Sequence, residues 1–233
     1  MGIRGFIQSN IYAQLILHPV KTMMRMRVAL IVEGNFEEIF ARQGYLWLLN
    51  KLKPGTTVID IGATVGDTAL YFSMSPNVDK VISFEPSPVL YSKALYYIAL
   101  SPDKKKIEFN NMAVTSDGKP RTISSGIAQT DFAKNKSKGS GKMINATTLK
   151  SLLSKLRVKG ANRIAIKCDC EGEEARLFDN VDLKNVYAMQ MECHNYCKES
   201  LSKKLKEAGF RITTLMDTDE TGSSMIGAYR SNA

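Results

Sequence analysis

Short apolar runs alternate along this chain with longer stretches in which apolar residues recur at helical spacing. The runs predict seven strands, at residues 56–61, 81–84, 107–114, 163–168, 186–191, 210–215 and 224–229. The stretches between them predict five helices, at residues 67–74, 89–99, 147–156, 174–180 and 198–208. Alternating strands and helices are typical of α/β folds with a parallel sheet. We therefore predict a mostly parallel seven-stranded sheet with helices on both faces, in which the last strand, from the closing hairpin, is antiparallel.

Two parts of the chain stand outside this alternation. Residues 1–53 carry apolar positions at helical spacing and end at Lys53-Pro54-Gly55, which predicts a helical N-terminal extension or cap before a domain at residues 54–233. Residues 116–141 are poor in apolar side chains and rich in Gly, Ser and Lys. This composition predicts a mobile loop, which is either a lid or acceptor-binding loop beside the site or a disordered tether.

The first predicted strand runs directly into a glycine turn and a helix, which is typical of nucleotide-binding α/β domains. Gly62 and Gly66 bracket the turn, and Asp60 comes just before it. A dinucleotide fingerprint would need glycine where the chain has Thr64 and Asp67, and a phosphate-binding P-loop would need lysine after Gly66. Carboxylates around the turn disfavour a pyrophosphate and suit a cationic or neutral adenosine ligand, a description that S-adenosylmethionine fits.

Acidic side chains follow three of the predicted strands. Glu85 comes after the second, about 20 residues beyond the turn, where an acid commonly binds ribose hydroxyls; its alternative role is a charge at the start of the next helix. Asp169 and Glu171 follow the fourth strand, and His194 follows the fifth. Ligands of open α/β sheets bind at the carboxyl ends of the strands, so we expect these residues to share one site. There His194 is either a base or a structural hydrogen-bonding residue.

The composition indicates an ordinary globular protein and argues against a membrane-spanning or secreted one. Of the 233 residues, 44% are hydrophobic and 24% are charged. No apolar run approaches the roughly 20 residues of a membrane span, and the first 20 residues lack the apolar core of a signal peptide. We therefore expect a cytoplasmic protein with reduced thiols. A zinc site and burial as small apolar side chains are the two interpretations of the four cysteines, and we predict no metal.

The positive charge is concentrated in one segment. The chain carries a net charge of +9, and residues 101–160 hold 13 Lys or Arg against 4 Asp or Glu, an excess that equals the total. Such a segment is either a solvated face or a patch for an acidic partner, such as nucleic acid or a phosphorylated metabolite. Few aromatic residues interleave with its lysines, which disfavours a platform for single-stranded nucleic acid.

Taken together, six motifs resemble those of FkbM-type methyltransferases and occur in the same order. They are Val-Ile-Asp-Ile-Gly-Ala-Thr-Val-Gly-Asp-Thr (58–68), Phe-Glu-Pro-Ser-Pro (84–88), Asn-Met-Ala-Val (111–114), Thr-Thr-Leu (147–149), Ile-Lys-Cys-Asp-Cys-Glu-Gly-Glu-Glu (166–174) and Met-Glu-Cys-His (191–194). The resemblance covers residues 46–230, and it implies a Rossmann-like class I fold that depends on S-adenosylmethionine. The family usually has Asn where this chain has Thr64.

The resemblance also implies which residues form the site. The cofactor-binding residues would be Asp60, Gly62, Ala63, Thr64, Gly66, Thr68, Glu85, Pro86, Ala113 and Asp169. The catalytic residues would be Asp169, Glu171 and His194, near the sulfonium and the methyl acceptor. Glu192 and His194 match the family's Glu-x-His.

The activity implied by the resemblance is methyl transfer to a hydroxyl oxygen of a sugar or another small molecule. We expect His194 or Asp169 to remove the proton. The basic segment adds the expectation that this acceptor is acidic or sugar-containing. Two alternatives stay open: a nucleic-acid methyltransferase that uses residues 101–160, although the Asn/Asp-Pro-Pro-Tyr type of motif is missing, and a non-catalytic S-adenosylmethionine-binding protein. The oligomeric state is not predicted.

Overall fold

A computed structural model describes the chain at residue 39 and at residues 44–124 and 141–231. The strands are β1 Thr56–Ile61, β2 Val78–Phe84, β3 Ile107–Asn110, β4 Ala113–Val114, β5 Arg121–Ser124, β6 Gly141–Ile144, β7 Ala146–Thr147, β8 Ile164–Cys168, β9 Val186–Cys193, β10 Arg211–Met216 and β11 Ser224–Tyr229. The α-helices are α1 Leu46–Leu49, α2 Asp67–Ser73, α3 Pro88–Leu100, α4 Leu149–Val158, α5 Glu174–Leu177 and α6 Lys198–Glu207. Among the described residues, none of these helices is long and apolar enough to cross a membrane.

One seven-stranded sheet has the order β10-β11-β9-β8-β1-β2-β3. The strands from β9 to β3 pair in parallel, and β11 is antiparallel to both of its neighbours. The predicted fold is therefore confirmed, including the antiparallel last strand. The chain builds outward from β1 to β3 and then returns to place β8 on the other side of β1, so the direction of winding changes between β1 and β8. Ligands of such sheets bind at the carboxyl ends of the strands beside this point.

Alternating side chains in the central strand face two separate cores. Val58 lies in a cluster with Leu48 of α1 and Phe72 of α2. Ile59, the next residue, lies in the opposite cluster with Leu153 of α4 and with the buried side chains of α5 and α6. A strand that is buried on both faces reads as a continuous apolar run. Helices therefore cover both faces of the sheet, as predicted.

The register of the strands aligns the ends of four of them at one edge of the sheet. Ile61 pairs with both Phe84 and Cys168, and Cys168 pairs with Met191. Each of these residues is followed by a residue with a small or acidic side chain: Gly62, Glu85, Asp169 and Glu192. Acids at the ends of separate strands therefore come to one edge of the sheet.

The prediction of a single third strand at residues 107–114 was wrong in its second half. β3 ends at Asn110, and β4 pairs in parallel with β7 instead of continuing the main sheet. Between them, the Asn111 side-chain amide donates hydrogen bonds of 2.9 Å to the carbonyl oxygens of Glu85 and Pro86. These hydrogen bonds join the break to the residues just after β2. Ala113 therefore lies near the end of β2 and lines the same cleft as Glu85 and Pro86.

Two predicted segments fall largely outside the described residues. β5 and β6 pair antiparallel across residues 125–140, so strand structure reaches into the ends of the predicted loop. The lid and tether interpretations concern the undescribed part and stay predictions. Most of the predicted N-terminal extension is also outside the described residues, and α1 is the helix that lies within them. The domain boundary after residue 53 likewise stays a prediction.

Candidate active site

The glycine turn is held by the neighbouring strands on both sides. The backbone N–H groups of Gly62 and Ala63 both donate to the carbonyl oxygen of Phe84, at 3.1 Å. Gly62 has a φ of +76°, and a Cβ built on it would lie 1.7 Å from the carbonyl oxygen of Asp169. Glycine is therefore required here both by the left-handed backbone and by the close approach of the β8 end. The turn and Asp169 form one rigid unit.

A solvent-open cleft of about 740 Å³ lies over this edge of the sheet. Seven residues of the predicted site line it: Gly62, Thr64, Glu85, Pro86, Ala113, Asp169 and Glu171. Apolar side chains of Phe84, Leu90 and Met112 form the rest of one wall. The mixture of apolar walls with a few acids is typical of small-molecule sites.

The other predicted cofactor-binding residues lie behind the wall of the cleft. Asp60 is fully buried, and its Oδ2 accepts hydrogen bonds from Thr68 Oγ1 at 2.8 Å and Ser83 Oγ at 3.1 Å. Burial raises the pKa of Asp60, although Lys167 and these hydrogen bonds oppose the rise. Ala63 is buried as well, and Gly66 precedes α2 with a φ of +81°. These four residues, Asp60, Ala63, Gly66 and Thr68, are not among the described residues that line the cleft. They therefore support the turn from beneath.

Lys167 is a buried cation that the sequence analysis did not single out as a site residue. Its Nζ donates to the carbonyl oxygen of Gly62 at 2.6 Å, and lies 3.6 Å from Asp60 Oδ1 and 3.9 Å from Asp169 Oδ2. Burial alone would lower the pKa of this ammonium group, but Tyr45 and the two carboxylates raise it well above its usual value. The sequence shows the lysine within the motif at residues 166–174, but it does not show that the side chain contacts the glycine turn.

Glu85 contacts the backbone just before α3, as one of its two considered roles requires, while the ribose role stays a prediction. Its Oε2 accepts from the backbone N–H of Thr64 at 3.0 Å, and its Oε1 accepts from that of Ser87 at 2.8 Å, just before α3. The carboxylate is 5% exposed and lines the cleft. Burial raises the pKa of Glu85 to about 7, against the lowering effect of the two backbone hydrogen bonds. The hydrogen bond from Thr64 to Glu85 accompanies an unusual backbone conformation. Thr64 has a φ of +43°, in the left-handed region that a β-branched residue rarely adopts.

His194 lies in a cluster of carboxylates drawn from two strand ends. Its Nδ1 is 3.0 Å from Glu174 Oε1, and its Nε2 faces three further carboxylate oxygens: Glu192 at 3.5 Å, Glu171 at 3.7 Å and Asp169 at 4.0 Å. The hydrogen bond that His194 donates to Glu174 raises the pKa of His194 to about 9. Burial opposes this rise, and the charges of Glu174, Glu192 and Asp169 add to it. Asp169, Glu171 and His194 are thus brought together, and Glu174 joins them. The sequence analysis had not placed Glu174 in the site.

Ligand atoms of Asp169, Glu174 and His194 lie within 4.8 Å of one another, which is close enough to surround a metal ion. Glu174, however, already accepts hydrogen bonds from the backbone N–H groups of Cys170 at 3.0 Å and Gly172 at 2.9 Å, besides the imidazole contact. We therefore treat the group as a hydrogen-bonded pair with neighbouring carboxylates. The four cysteines are free thiols, of which Cys170 is half-buried and the others are buried, and Cys168 and Cys170 Sγ are 3.7 Å apart.

The sequence model of the FkbM methyltransferase domain matches residues 60–212, which include every predicted site residue, from Asp60 to His194. The chain belongs to the FkbM methyltransferase family. It is accordingly an enzyme that transfers a methyl group from S-adenosylmethionine. Family membership thus confirms the predicted cofactor, and it leaves the acceptor open. A comparison with curated protein sequences found no significant match.

Solved structures share the fold at low sequence identity. The delta-N METTL16 methyltransferase domain is 13% identical with a TM-score of 0.53, over 95% of this chain and 97% of that one. The human methyltransferase 10 domain containing protein is 12% identical with a TM-score of 0.50, over 95% and 98%. Methyltransferase FkbM from Methylobacillus flagellatus KT is 11% identical with a TM-score of 0.50; 96% of this chain matches 60% of its length. At such identities the likeness supports the fold alone.

Proposed function

We propose that this methyltransferase methylates a neutral hydroxyl oxygen of a sugar or a similar small molecule. The observation that carries the proposal is the position of His194. Its Nδ1 is bonded to Glu174, while its Nε2 faces the carboxylates of Asp169 and Glu171, which also border the cleft. An imidazole placed in this way can take a proton from a hydroxyl group at the edge of the cofactor cleft.

The described residues fit S-adenosylmethionine in the cleft. Gly62, Thr64, Pro86 and Ala113 offer backbone and small side chains along the wall, and the Glu85 carboxylate is placed to accept hydrogen bonds from ribose hydroxyls. Behind the wall, buried Asp60 has an Oδ1 atom without a hydrogen-bond partner, and this atom lies 3.6 Å from Lys167 Nζ. When bound, S-adenosylmethionine supplies an activated methyl group on a sulfonium.

The residues of this chain have to orient the acceptor and remove its proton. We assign proton removal to His194 Nε2, with Asp169 as the alternative base. The neighbouring carboxylates stabilise the imidazolium that forms, because opposite charges nearby favour the charged state. Asp169 is fixed against the glycine turn, so it can also hold the acceptor at a constant position relative to the cofactor cleft.

The charge around the base indicates the class of acceptor. Four carboxylates, from Asp169, Glu171, Glu174 and Glu192, surround one imidazole. An anionic group at this position would be repelled, whereas sugar hydroxyls can donate hydrogen bonds to carboxylates. The reacting end of the acceptor is therefore neutral, and any acidic part of it has to lie away from the cluster, toward the basic segment.

Methylation of nucleic acid is the second candidate, and the basic segment favours it. Two lysines of this segment also make contacts within the protein: Lys104 donates to the carbonyl oxygen of Ala99, and Lys106 donates to that of Ser75. Binding of RNA or DNA that weakens steeply with salt would support this candidate. A non-catalytic binder would instead hold S-adenosylmethionine and never yield S-adenosylhomocysteine with any acceptor.

Calorimetry with S-adenosylmethionine, followed by an acceptor screen with a labelled methyl group, tests the proposal. We expect binding, and label incorporated into neutral glycosides or polyols in preference to their phosphorylated or carboxylated counterparts. The same screen includes RNA and DNA oligonucleotides and a sample with EDTA. Label that enters only nucleic acid would replace the proposal with the second candidate. Loss of transfer in EDTA would show that the carboxylates work with a metal ion.

Cofactor affinity should depend on the ionisation of Glu85. Its pKa is raised to about 7 by burial, so the carboxylate that accepts the ribose hydroxyls is lost as the pH falls through this value. We expect the affinity of the wild type to fall about tenfold per pH unit below 7. Glu85→Gln should bind about 10- to 100-fold more weakly at pH 8, the loss of about 1.5–3 kcal/mol for hydrogen bonds to a charged group. Calorimetry between pH 5.5 and 8 measures both effects.

The control for this experiment is Glu108→Gln, which removes an exposed carboxylate of β3 that is paired with Lys80. It should bind S-adenosylmethionine like the wild type at every pH. A slope with pH that persists in Glu85→Gln would have to come from another group, and it would contradict the assignment of Glu85 to the ribose.

A further inference from the structure

Two backbone N–H groups hold the carboxylate of Glu174 beside His194. Glu174 is the first residue of α5 and has no exposed surface. Its Oε1 accepts from the backbone N–H of Cys170 and its Oε2 from that of Gly172. The chain between them turns through positive φ angles at Glu171 (+58°) and Gly172 (+109°), which directs both N–H groups at the carboxylate. Burial alone would raise the pKa of Glu174, but the hydrogen bonds with His194 and these backbone groups lower it.

The contact with Glu174 decides which imidazole nitrogen carries the proton. A carboxylate only accepts hydrogen bonds, so the 3.0 Å contact requires a proton on Nδ1 of His194. In the neutral imidazole Nε2 then has the free lone pair, and this atom faces the cleft side of the cluster, toward Asp169 and Glu171. The other tautomer would turn a donor toward the acceptor hydroxyl and could not take its proton.

We infer that Glu174 is a positioning residue, which fixes the tautomer and ring orientation of His194 for proton removal. The inference rests on the proposed function, in which His194 is the base. In the step itself the O–H bond of the acceptor breaks and an Nε2–H bond forms, and the oxygen keeps the electron pair with which it takes the methyl group. Glu174 does not reach the acceptor; it acts through Nδ1 and through its charge on the imidazolium.

Glutamine cannot replace Glu174 in this arrangement. The carboxylate oxygens accept from two backbone N–H groups and one imidazole N–H. A carboxamide has one oxygen and one NH₂ group, so at least one of these donors would face another donor. It also lacks the charge that stabilises the imidazolium. We therefore expect Glu174→Gln to lower the pKa of His194 and to release its orientation.

Titration of the imidazole by NMR tests this inference without cofactor or acceptor. The chain has two histidines, His18 and His194, so the spectrum of His194→Ala identifies the resonance of interest. In the wild type it should titrate near pH 9. In Glu174→Gln the midpoint should fall by at least one pH unit, a tenfold or greater weakening of proton binding. The groups that face the imidazole are Glu174 on α5, Glu192 on β9, Asp169 and Glu171 after β8, and the thiol of Cys197 before α6.

Glu173→Gln is the matched control. Glu173 is also buried and is the adjacent residue, but its carboxylate accepts from the backbone N–H and hydroxyl of Ser116. Its removal should leave the midpoint of His194 unchanged. Should Glu174→Gln fail to fold, Glu174→Asp keeps the charge and shortens the reach to Nδ1, and its midpoint should lie below that of the wild type.

Two results would overturn the inference. One is a midpoint near pH 9 in Glu174→Gln, or in Glu174→Asp if that variant has to be used. The other is a lowered midpoint with no loss of methyl transfer once an acceptor is known, measured above pH 9, where most His194 is neutral in both proteins. The pairing would then have no role in positioning. Neither result concerns cofactor binding. The proposed function fails separately, if wild-type protein transfers no methyl group to any hydroxyl acceptor.

Discussion

Replacing Gly62 by alanine is expected to lower the free energy of unfolding by more than about 4 kcal/mol, a size that few single substitutions reach. The new Cβ would lie 1.7 Å from the carbonyl oxygen and 2.8 Å from the carbonyl carbon of Asp169. Both are backbone atoms at the end of β8, and β8 is paired on both sides within the sheet. The strand cannot move aside without breaking its ladder. Denaturant unfolding followed by circular dichroism measures the loss, provided that the m-value stays constant.

Gly160→Ala separates the clash at Gly62 from the cost of the backbone conformation. Gly160 has a φ of +81°, close to the +76° of Gly62, and an added Cβ there would meet no atom within 4 Å. This control should cost only about 1–2 kcal/mol, the penalty for a left-handed residue with a Cβ. If Gly62→Ala lost no more stability than Gly160→Ala, the glycine turn and β8 would not be packed as described, and the link between the cofactor wall and Asp169 would be absent.

His194→Ala is expected to reduce methyl transfer by about 10²- to 10⁴-fold, the usual contribution of a general base. Affinity for S-adenosylmethionine should stay within about twofold, because His194 is not among the described residues that line the cleft. The wild type should also show a pH profile set by this group. A base acts in its deprotonated form, and the pKa of His194 is raised to about 9. The value of kcat/KM should therefore rise with pH up to about 9 and level off above it.

The pH profile distinguishes the two candidate bases. At pH 7 only about one molecule in a hundred would carry a neutral His194 if its pKa is about 9. His194→Ala should abolish the rise with pH together with the activity. Its control is His18→Ala, which removes the chain's other imidazole and should keep both. Full turnover in His194→Ala at all pH values would remove His194 from the role and leave Asp169 as the base.

The sequence and the structure suggest different charges for the methyl acceptor. The sequence shows a basic segment at residues 101–160 and suggests an acidic partner. The structure collects carboxylates from two strand ends around His194, and this cluster disfavours an anion at the reacting atom. The two features are compatible if they contact different parts of one acceptor. A neutral hydroxyl would then be bound by the cluster, and an acidic group elsewhere in the molecule by the lysines.

Much of the fold could be predicted because local patterns report burial directly. Strands buried on both faces read as apolar runs, and β1 and α2 were predicted to within one residue. The glycine turn required its glycines, and the spacing from it to Glu85 indicated the ribose site. The break after β3 was not predicted, because it depends on hydrogen bonds from Asn111 to carbonyl groups about 25 residues earlier. The short strands β5, β6 and β7 were not predicted either. The local pattern of apolar residues cannot predict such long-range contacts.

By itself, the sequence determined the α/β architecture, the cofactor turn, the acidic residues at the strand ends and the FkbM family. Each of these depends on residue type, on spacing along the chain, or on the order of short motifs. Only the tertiary structure decided that Lys167 binds the turn, that Asp60 lies behind the cleft, and that Glu174 is hydrogen-bonded to His194. Those partners are separated by 8 to 105 residues. They meet because strand order and register, which are set by the packing of the whole sheet, bring β1, β8 and β9 side by side.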